Sequence, residues 1–229
     1  MPKNPSARLI PTFLLAASVL GAAGVPQKRP DGIVVPIDDA LLKVEIRADN
    51  IIRVAFARNR TFFRRASLAV EPGREPVPPW ELTTDAGTAT LATAKLKVRV
   101  DLATGAVSFL DPAGRVIVAE RPGGREITAA TVPGAPTAHV RQAWEPADDE
   151  ALYGLGENQL GLFNLKGYDL DLWQHNGTAA VPFLVSSRGY GIFWDNPSYT
   201  RFGDVRPFEA IPAAQLLDAD GRAGGLTGT

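Results

Sequence analysis

Acid–base chemistry needs carboxylates or imidazoles held close together, and the chain offers few such arrangements. Asp169 and Asp171 stand two residues apart and would share one face of a strand. A catalytic carboxylate pair has this look, although adjacent solvated side chains account for it more simply. His175 follows shortly after, and histidine is the residue type that acid–base catalysts use most often. A single loop histidine is more commonly a hydrogen-bonding surface residue. Asp148-Asp149-Glu150 reads as a solvated acidic turn, and Glu157 as the residue that caps or orients the bend Gly154-Leu155-Gly156.

Composition excludes several other chemistries. The 229 residues include no Cys and only two His, His139 and His175. Disulfides, thiolate zinc sites, cysteine nucleophiles and multi-histidine metal centres are therefore ruled out, and no cofactor or metal is implied. The 24 basic and 25 acidic residues give a net charge of −1, too even for a dedicated nucleic-acid binder. Hydrophobic residues at 45% and charged residues at 21% describe a folding chain, long enough for one large domain or two small ones. With 22 Gly and 19 Pro, the chain is poorly suited to helices.

The elements that must position these residues are strands. Leu42, Val44 and Ile46 alternate with Lys43, Glu45 and Arg47; after the turn signal Ala48-Asp49-Asn50, the apolar face continues at Ile52, Val54 and Phe56. The pattern predicts a hairpin. From Lys95 to Leu102 the alternation is strict, as in a sheet with one wet face. Short strands are expected at Ala106–Leu110 and Val116–Ala119, with Pro-rich connections at residues 71–79 and 132–136. Tyr190 to Trp194 reads as a buried strand. No stretch after the N-terminal leader has helical periodicity, so the fold class is all-β, a sandwich or barrel. Of the 18 aromatic residues, 11 fall between Tyr153 and Phe208. Such density fits either a filled core or a surface that stacks on sugar rings.

Residues 1–26 read as a secretory signal peptide: Lys3 and Arg8, then an uncharged stretch from Leu9 to Gly24, then small residues and Val25-Pro26. A membrane anchor would need a longer, more strongly apolar run. The expected location is secreted or periplasmic, with no membrane association once the leader is removed.

One succession is specific. Tyr153-Gly154-Leu155-Gly156-Glu157 is followed by Leu172-Trp173-Gln174-His175-Asn176, and then by Val181-Pro182-Phe183 and Arg188-Gly189-Tyr190-Gly191 within the run that ends at Asp195-Asn196. Together these resemble the N-terminal domain of glycoside hydrolase family 31, the α-glucosidases and α-xylosidases. The resemblance implies a galactose-mutarotase-like β-sandwich over residues 27–215, incomplete at its C-terminal end. It also implies a (β/α)8 barrel outside this chain, carrying the two Asp residues of a retaining mechanism about 5 Å apart. Residues 216–229 resemble the start of an inserted carbohydrate-associated β-domain found in some α-xylosidases of the family.

By the same resemblance, the loop at Leu172–Asn176 reaches the sugar near the scissile bond. Asn176 stands where many relatives have Asp and would hydrogen-bond substrate hydroxyls, since an amide both donates and accepts. Gln174, His175 and Thr178 are further substrate-binding candidates. The alternative for this stretch is an ordinary turn, for which Asn-Gly is the commonest signal, and the two are compatible. The resemblance thus implies a non-catalytic domain of a secreted α-glycosidase, preferably an α-xylosidase, whose partner is an oligosaccharide held jointly with the barrel. A stand-alone carbohydrate-binding sandwich is the alternative. An aldose epimerase would need a His and a Glu as acid and base, for which neither histidine has a motif.

Overall fold

Alternating apolar side chains in the first half of the chain build two sheets that face one another. The computed structural model describes residues 24–203 except 71–75, 133–134, 146 and 160. Most of the leader and the segment 216–229 lie outside the described residues. The structure divides into two compact units, before and after the junction of Pro146 and Ala147.

In the first unit, β1 (Gln27–Arg29), β2 (Gly32–Ile37), β3 (Ala40–Ala48) and β4 (Ile51–Ala57) form an antiparallel sheet in chain order. The second sheet is also antiparallel and in chain order, through β5 (Glu81–Thr84), β6 (Thr88–Ala92), β7 (Lys97–Asp101), β8 (Val107–Leu110), β9 (Val116–Val132) and β10 (Ala135–Glu145). Period two puts Ile33, Val35, Leu42, Val44 and Ile46 of the first sheet against Leu91, Val98, Val100 and Val107 of the second in one buried cluster. That is a sandwich.

The expected hairpin is β3–β4, with Leu42 opposite Phe56, Val44 opposite Val54 and Ile46 opposite Ile52. β9 is far longer than the four residues expected, because it runs through Pro122-Gly123-Gly124 to Val132; a register shift in β10 between Gln142 and Trp144 absorbs the break. One short 3-10 turn, Arg60–Arg64, is capped by the Asn59 side chain, which accepts the Thr61 N–H.

Among the described residues of this unit two carboxylates are buried. Glu120 continues the core face of β9; its carboxylate is ion-paired to Arg125 and accepts the Val107 N–H at 3.0 Å. Arg125 also donates to Gly105 O and Gln142 Oε1, and its guanidinium lies 5.0 Å from the centre of the Phe56 ring. Burial pushes the Glu120 carboxyl above its usual range despite that partner.

Glu45 is buried on the opposite, outer face of the first sheet. It meets Lys43 at 2.7 Å, Arg47 at 2.9 Å and Arg53 at 2.5 Å. Burial alone would raise its pKa, but the hydrogen bonds from Lys43 and Arg53 and the charges of Lys43 and Arg47 outweigh it and lower the value. A lowered folded-state pKa means that the stabilisation is complete above the unfolded-state range of about 4.3 and is lost as pH falls through the folded value. Glu45→Gln is therefore expected to destabilise the chain by about 2 kcal/mol at pH 7. Urea midpoints of the two proteins should converge as the pH is lowered through the carboxylate range; a constant gap across that range would refute the linkage.

In the second unit, β11 (Leu152–Glu157), β13 (Ala179–Ser186) and β14 (Gly191–Phe193) pair antiparallel with β13 central, while β12 (Leu170–Leu172) pairs with β15 (Thr200–Phe202). Leu155, Leu165, Leu170 and Leu184 form its core. Val181, Phe183, Val185 and Phe193 occupy the other face of the three-stranded sheet and are exposed. Among the described residues the strand expected to be buried at Tyr190–Trp194 is thus an edge strand, and Trp194 is only half-buried. Among the described residues no helix is long and apolar enough to cross a membrane.

Candidate functional site

The loop between β12 and β13 gathers all four of the candidate binding residues. His175 and Thr178 close a tight turn, with the Thr178 N–H donating to His175 O at 3.1 Å. Gly177 has φ +83°, whereas Asn176 is not in the left-handed region. That combination belongs to a type II turn, with glycine at its third position, rather than to the type I′ turn that Asn-Gly usually forms. A Cβ on Gly177 would also stand 3.0 Å from the Gln159 amide, so the residues after β11 border this turn.

Gln174 holds the two arms of the loop together. Its Nε2 donates to Thr178 O at 3.1 Å, and its Oε1 accepts the Ala180 N–H at 3.2 Å. His175 Nδ1 lies 2.9 Å from Asn176 O. A carbonyl only accepts, so Nδ1 carries the proton and, in the neutral ring, Nε2 is left as an acceptor. The His175 ring leans on Trp173, with centroids 4.8 Å apart. Asn176 is exposed, and its carboxamide has no hydrogen-bond partner among the described residues. The loop therefore presents a free amide and an imidazole nitrogen on a braced turn.

The carboxylates are otherwise engaged. Arg201 Nη2 lies 2.6 Å from Asp169 Oδ2, and its Nε lies 3.5 Å from Asp171 Oδ1. Tyr199 donates its hydroxyl to Asp171 at 2.5 Å, a bond that pushes the phenol pKa up. The two Asp residues do share a face, and there they clasp one guanidinium. Glu150 corrects the reading of a solvated acidic turn: it is buried and accepts hydrogen bonds from Ser186 Oγ, from the Tyr190 hydroxyl at 2.5 Å and from the Ala147 N–H at 3.3 Å. These bonds lower its pKa against the effect of burial, and Glu150 in turn helps raise that of Tyr190. Asp148 and Asp149 remain exposed. Glu157 does not cap its bend; it is exposed at the end of β11, opposite Ala179.

A shallow cavity of about 320 Å³ opens beside β11, walled by Tyr153 and Phe163 and rimmed by Glu157 and Asn158. The two rings sit 4.9 Å apart, and Phe163 is 84% exposed. Neither Phe163 nor Gln159 stood out in the sequence beyond the local density of aromatics. Among the described residues no three His, Asp or Glu side chains come together as metal ligands.

Residues 41–202 match the model of the glycosyl hydrolase 31 N-terminal galactose mutarotase-like domain. An α-xylosidase of Saccharolobus solfataricus is 31% identical over 166 residues, which are 69% of this chain and 22% of that protein. An isomaltosyltransferase of Sporosarcina globispora is 26% identical over 172 residues, 70% of this chain and 15% of its own length. The crystal structure of the GH31 α-xylosidase of Xanthomonas citri superposes with a TM-score of 0.76 at 36% identity, covering 86% of this chain and 22% of that one. A GH31 α-xylosidase from a soil metagenome, solved with xylose, shares the fold at 23% identity with a TM-score of 0.63. The chain thus spans about a fifth of the length of the α-xylosidase from Saccharolobus solfataricus and of the one from Xanthomonas citri. Its strands, its motif succession and these likenesses agree: the chain belongs to the N-terminal galactose mutarotase-like domains of glycoside hydrolase family 31.

Proposed function

We propose that this chain forms one wall of the substrate pocket in an exported retaining α-glycosidase, an α-xylosidase by preference, and performs no hydrolysis itself. The observation that carries the reading is the exposed, unengaged carboxamide of Asn176 on a turn braced from within by Gln174. Because the backbone of the turn is already fixed, only the side-chain torsions of Asn176 remain to be ordered when its amide meets a sugar hydroxyl. His175 Nε2 and the Thr178 hydroxyl stand on the same turn as further partners. Asp169 and Asp171, both tied to Arg201, make a poor nucleophile and acid pair, which supports a chemistry supplied by a separate barrel. The leader at residues 1–26 supports export. The α-xylosidase preference rests on the relatives from Saccharolobus and Xanthomonas.

The purified 229-residue chain is expected to release no aryl group from an aryl α-xyloside above the buffer rate. Steady turnover by the chain alone would refute the reading. When residues 41–202 replace the matching segment of the Xanthomonas α-xylosidase, Asn176→Ala should raise KM about tenfold, as loss of one or two hydrogen bonds to a neutral sugar does. An unchanged KM and kcat would remove Asn176 from the pocket. The exposed rings of Phe163 and Trp173 favour a second reading, a stand-alone carbohydrate-binding module. Saturable binding of xylosyl oligosaccharides by the isolated chain would favour that reading over the first.

A further inference from the structure

The outer face of the first sheet concentrates positive charge in a chain whose net charge is −1. A groove of about 330 Å³ lies there, lined by Arg29, Asp31, Lys43, Arg60, Phe63 and Arg64. Its cations are unequally satisfied. Lys43 is held by Glu45 at 2.7 Å and by Asp31 at 3.7 Å. Among the described residues Arg29 meets only the neutral Gln27 side chain, at 3.1 Å. Arg60 and Arg64 have no ion pair among the described residues. Beside the groove, the single buried carboxylate of Glu45 is shared among Lys43, Arg47 and Arg53, leaving that row net positive as well.

Guanidinium groups present planar pairs of N–H donors that match a carboxylate or phosphate edge to edge. Two further features choose between those anions. Phe63 and the buried Val34 give the groove an apolar strip beside the charges, which suits the C–H face of a sugar ring. The near-neutral chain and the small groove favour a short ligand with one or two anionic groups; a membrane surface or a nucleic acid would need a broad basic field.

We propose that this groove binds a uronic acid residue of an acidic oligosaccharide, with Arg29, Arg60 and Arg64 on its carboxylate and Phe63 under its ring. Nothing in this assignment depends on the turn at Asn176, so either can fail without the other.

Titration calorimetry on the full chain at low salt, with trigalacturonate and with xylotriose as the neutral control, tests the proposal. Trigalacturonate should bind at least about tenfold more tightly than xylotriose. Arg60→Ala with Arg64→Ala should weaken it by at least about tenfold, and added salt should weaken it progressively. Arg115→Ala, which removes an exposed cation paired to Asp111 on a distant hairpin, should leave it unchanged. The exposed arginines can be lost without unfolding, which circular dichroism would verify. Equal affinity for the two trisaccharides, or a double variant within about twofold of the parent, overturns the proposal. If phosphatidylglycerol vesicles or duplex DNA bind more tightly than trigalacturonate with the same arginine dependence, the groove takes phosphate and the carboxylate assignment falls.

Discussion

Gly156→Ala should unfold the second unit or leave it barely stable. Gly156 sits in β11 at φ +97°, a backbone setting that side chains rarely tolerate. An added Cβ would stand 1.9 Å from Ala179 O and 2.7 Å from Val181 N. Both are backbone atoms of β13, the central strand, so no rotamer change can relieve the overlap. The pairs Gly156–Ala180 and Glu157–Ala179 would have to open, and Leu155, which enters the core at φ +62° between the two glycines, would lose its setting. The expected loss is roughly 3 kcal/mol or more. Gly161→Ala is the control: its φ is also positive, at +65°, but a Cβ there meets nothing within 4 Å, so only about 1 kcal/mol is at stake. Amide hydrogen exchange in β11 and β13 should rise sharply in the first variant and little in the second. Similar protection in both would show that the close approach of the strands is not what demands glycine at 156.

Arg125→Ala should cost the first unit about 3–5 kcal/mol, because it leaves the Glu120 carboxylate buried without its counter-charge. The loss includes the hydrogen bonds to Gly105 O and Gln142 and the stacking on Phe56. Against a typical domain stability of about 5–15 kcal/mol this is severe. The sign with pH is opposite to that of Glu45. A carboxyl whose folded-state pKa is raised becomes a growing liability as pH rises through that value. The deficit of Arg125→Ala relative to the parent should therefore be greatest near neutral pH and shrink as acid protonates Glu120. Urea unfolding followed by circular dichroism at several pH values measures both. Replacing the pair together, with Glu120→Leu and Arg125→Met, should recover much of the loss. A single-variant deficit under about 1 kcal/mol would mean that water reaches the carboxylate.

Where burial is one-sided, the sequence could be read directly. The β3–β4 hairpin and β7 were visible because polar and apolar residues alternate there and only one face is buried. β2 escaped notice because Ile33, Val34 and Val35 are buried on both faces, and a continuous apolar run carries no period. The extension of β9 was hidden by Pro122 and two glycines, which punctuate most strands but here sit at a register shift. The site divides in the same way. The loop from Gln174 to Thr178 could be located from its motif, yet the bracing by Gln174 depends on a bond across the loop to Ala180 that no local pattern announces. Glu150 looked solvated because its neighbours are acidic; its burial comes from Ser186 and Tyr190, some forty residues away.

The three-stranded sheet of the second unit has a practical consequence for anyone following the unfolding of this protein. Its face of Val181, Phe183, Val185 and Phe193 is between 38% and 48% open residue by residue, and the strands that bear it are formed. Anilinonaphthalene sulfonate brightens on greasy surface, and its signal is customarily taken as the mark of a molten, half-collapsed state. Here the dye would already glow in the native preparation. Its brightness would report cleanliness of storage poorly and melting worse, and emission from Trp80 and Trp144 in one unit and Trp173 and Trp194 in the other is the sounder gauge.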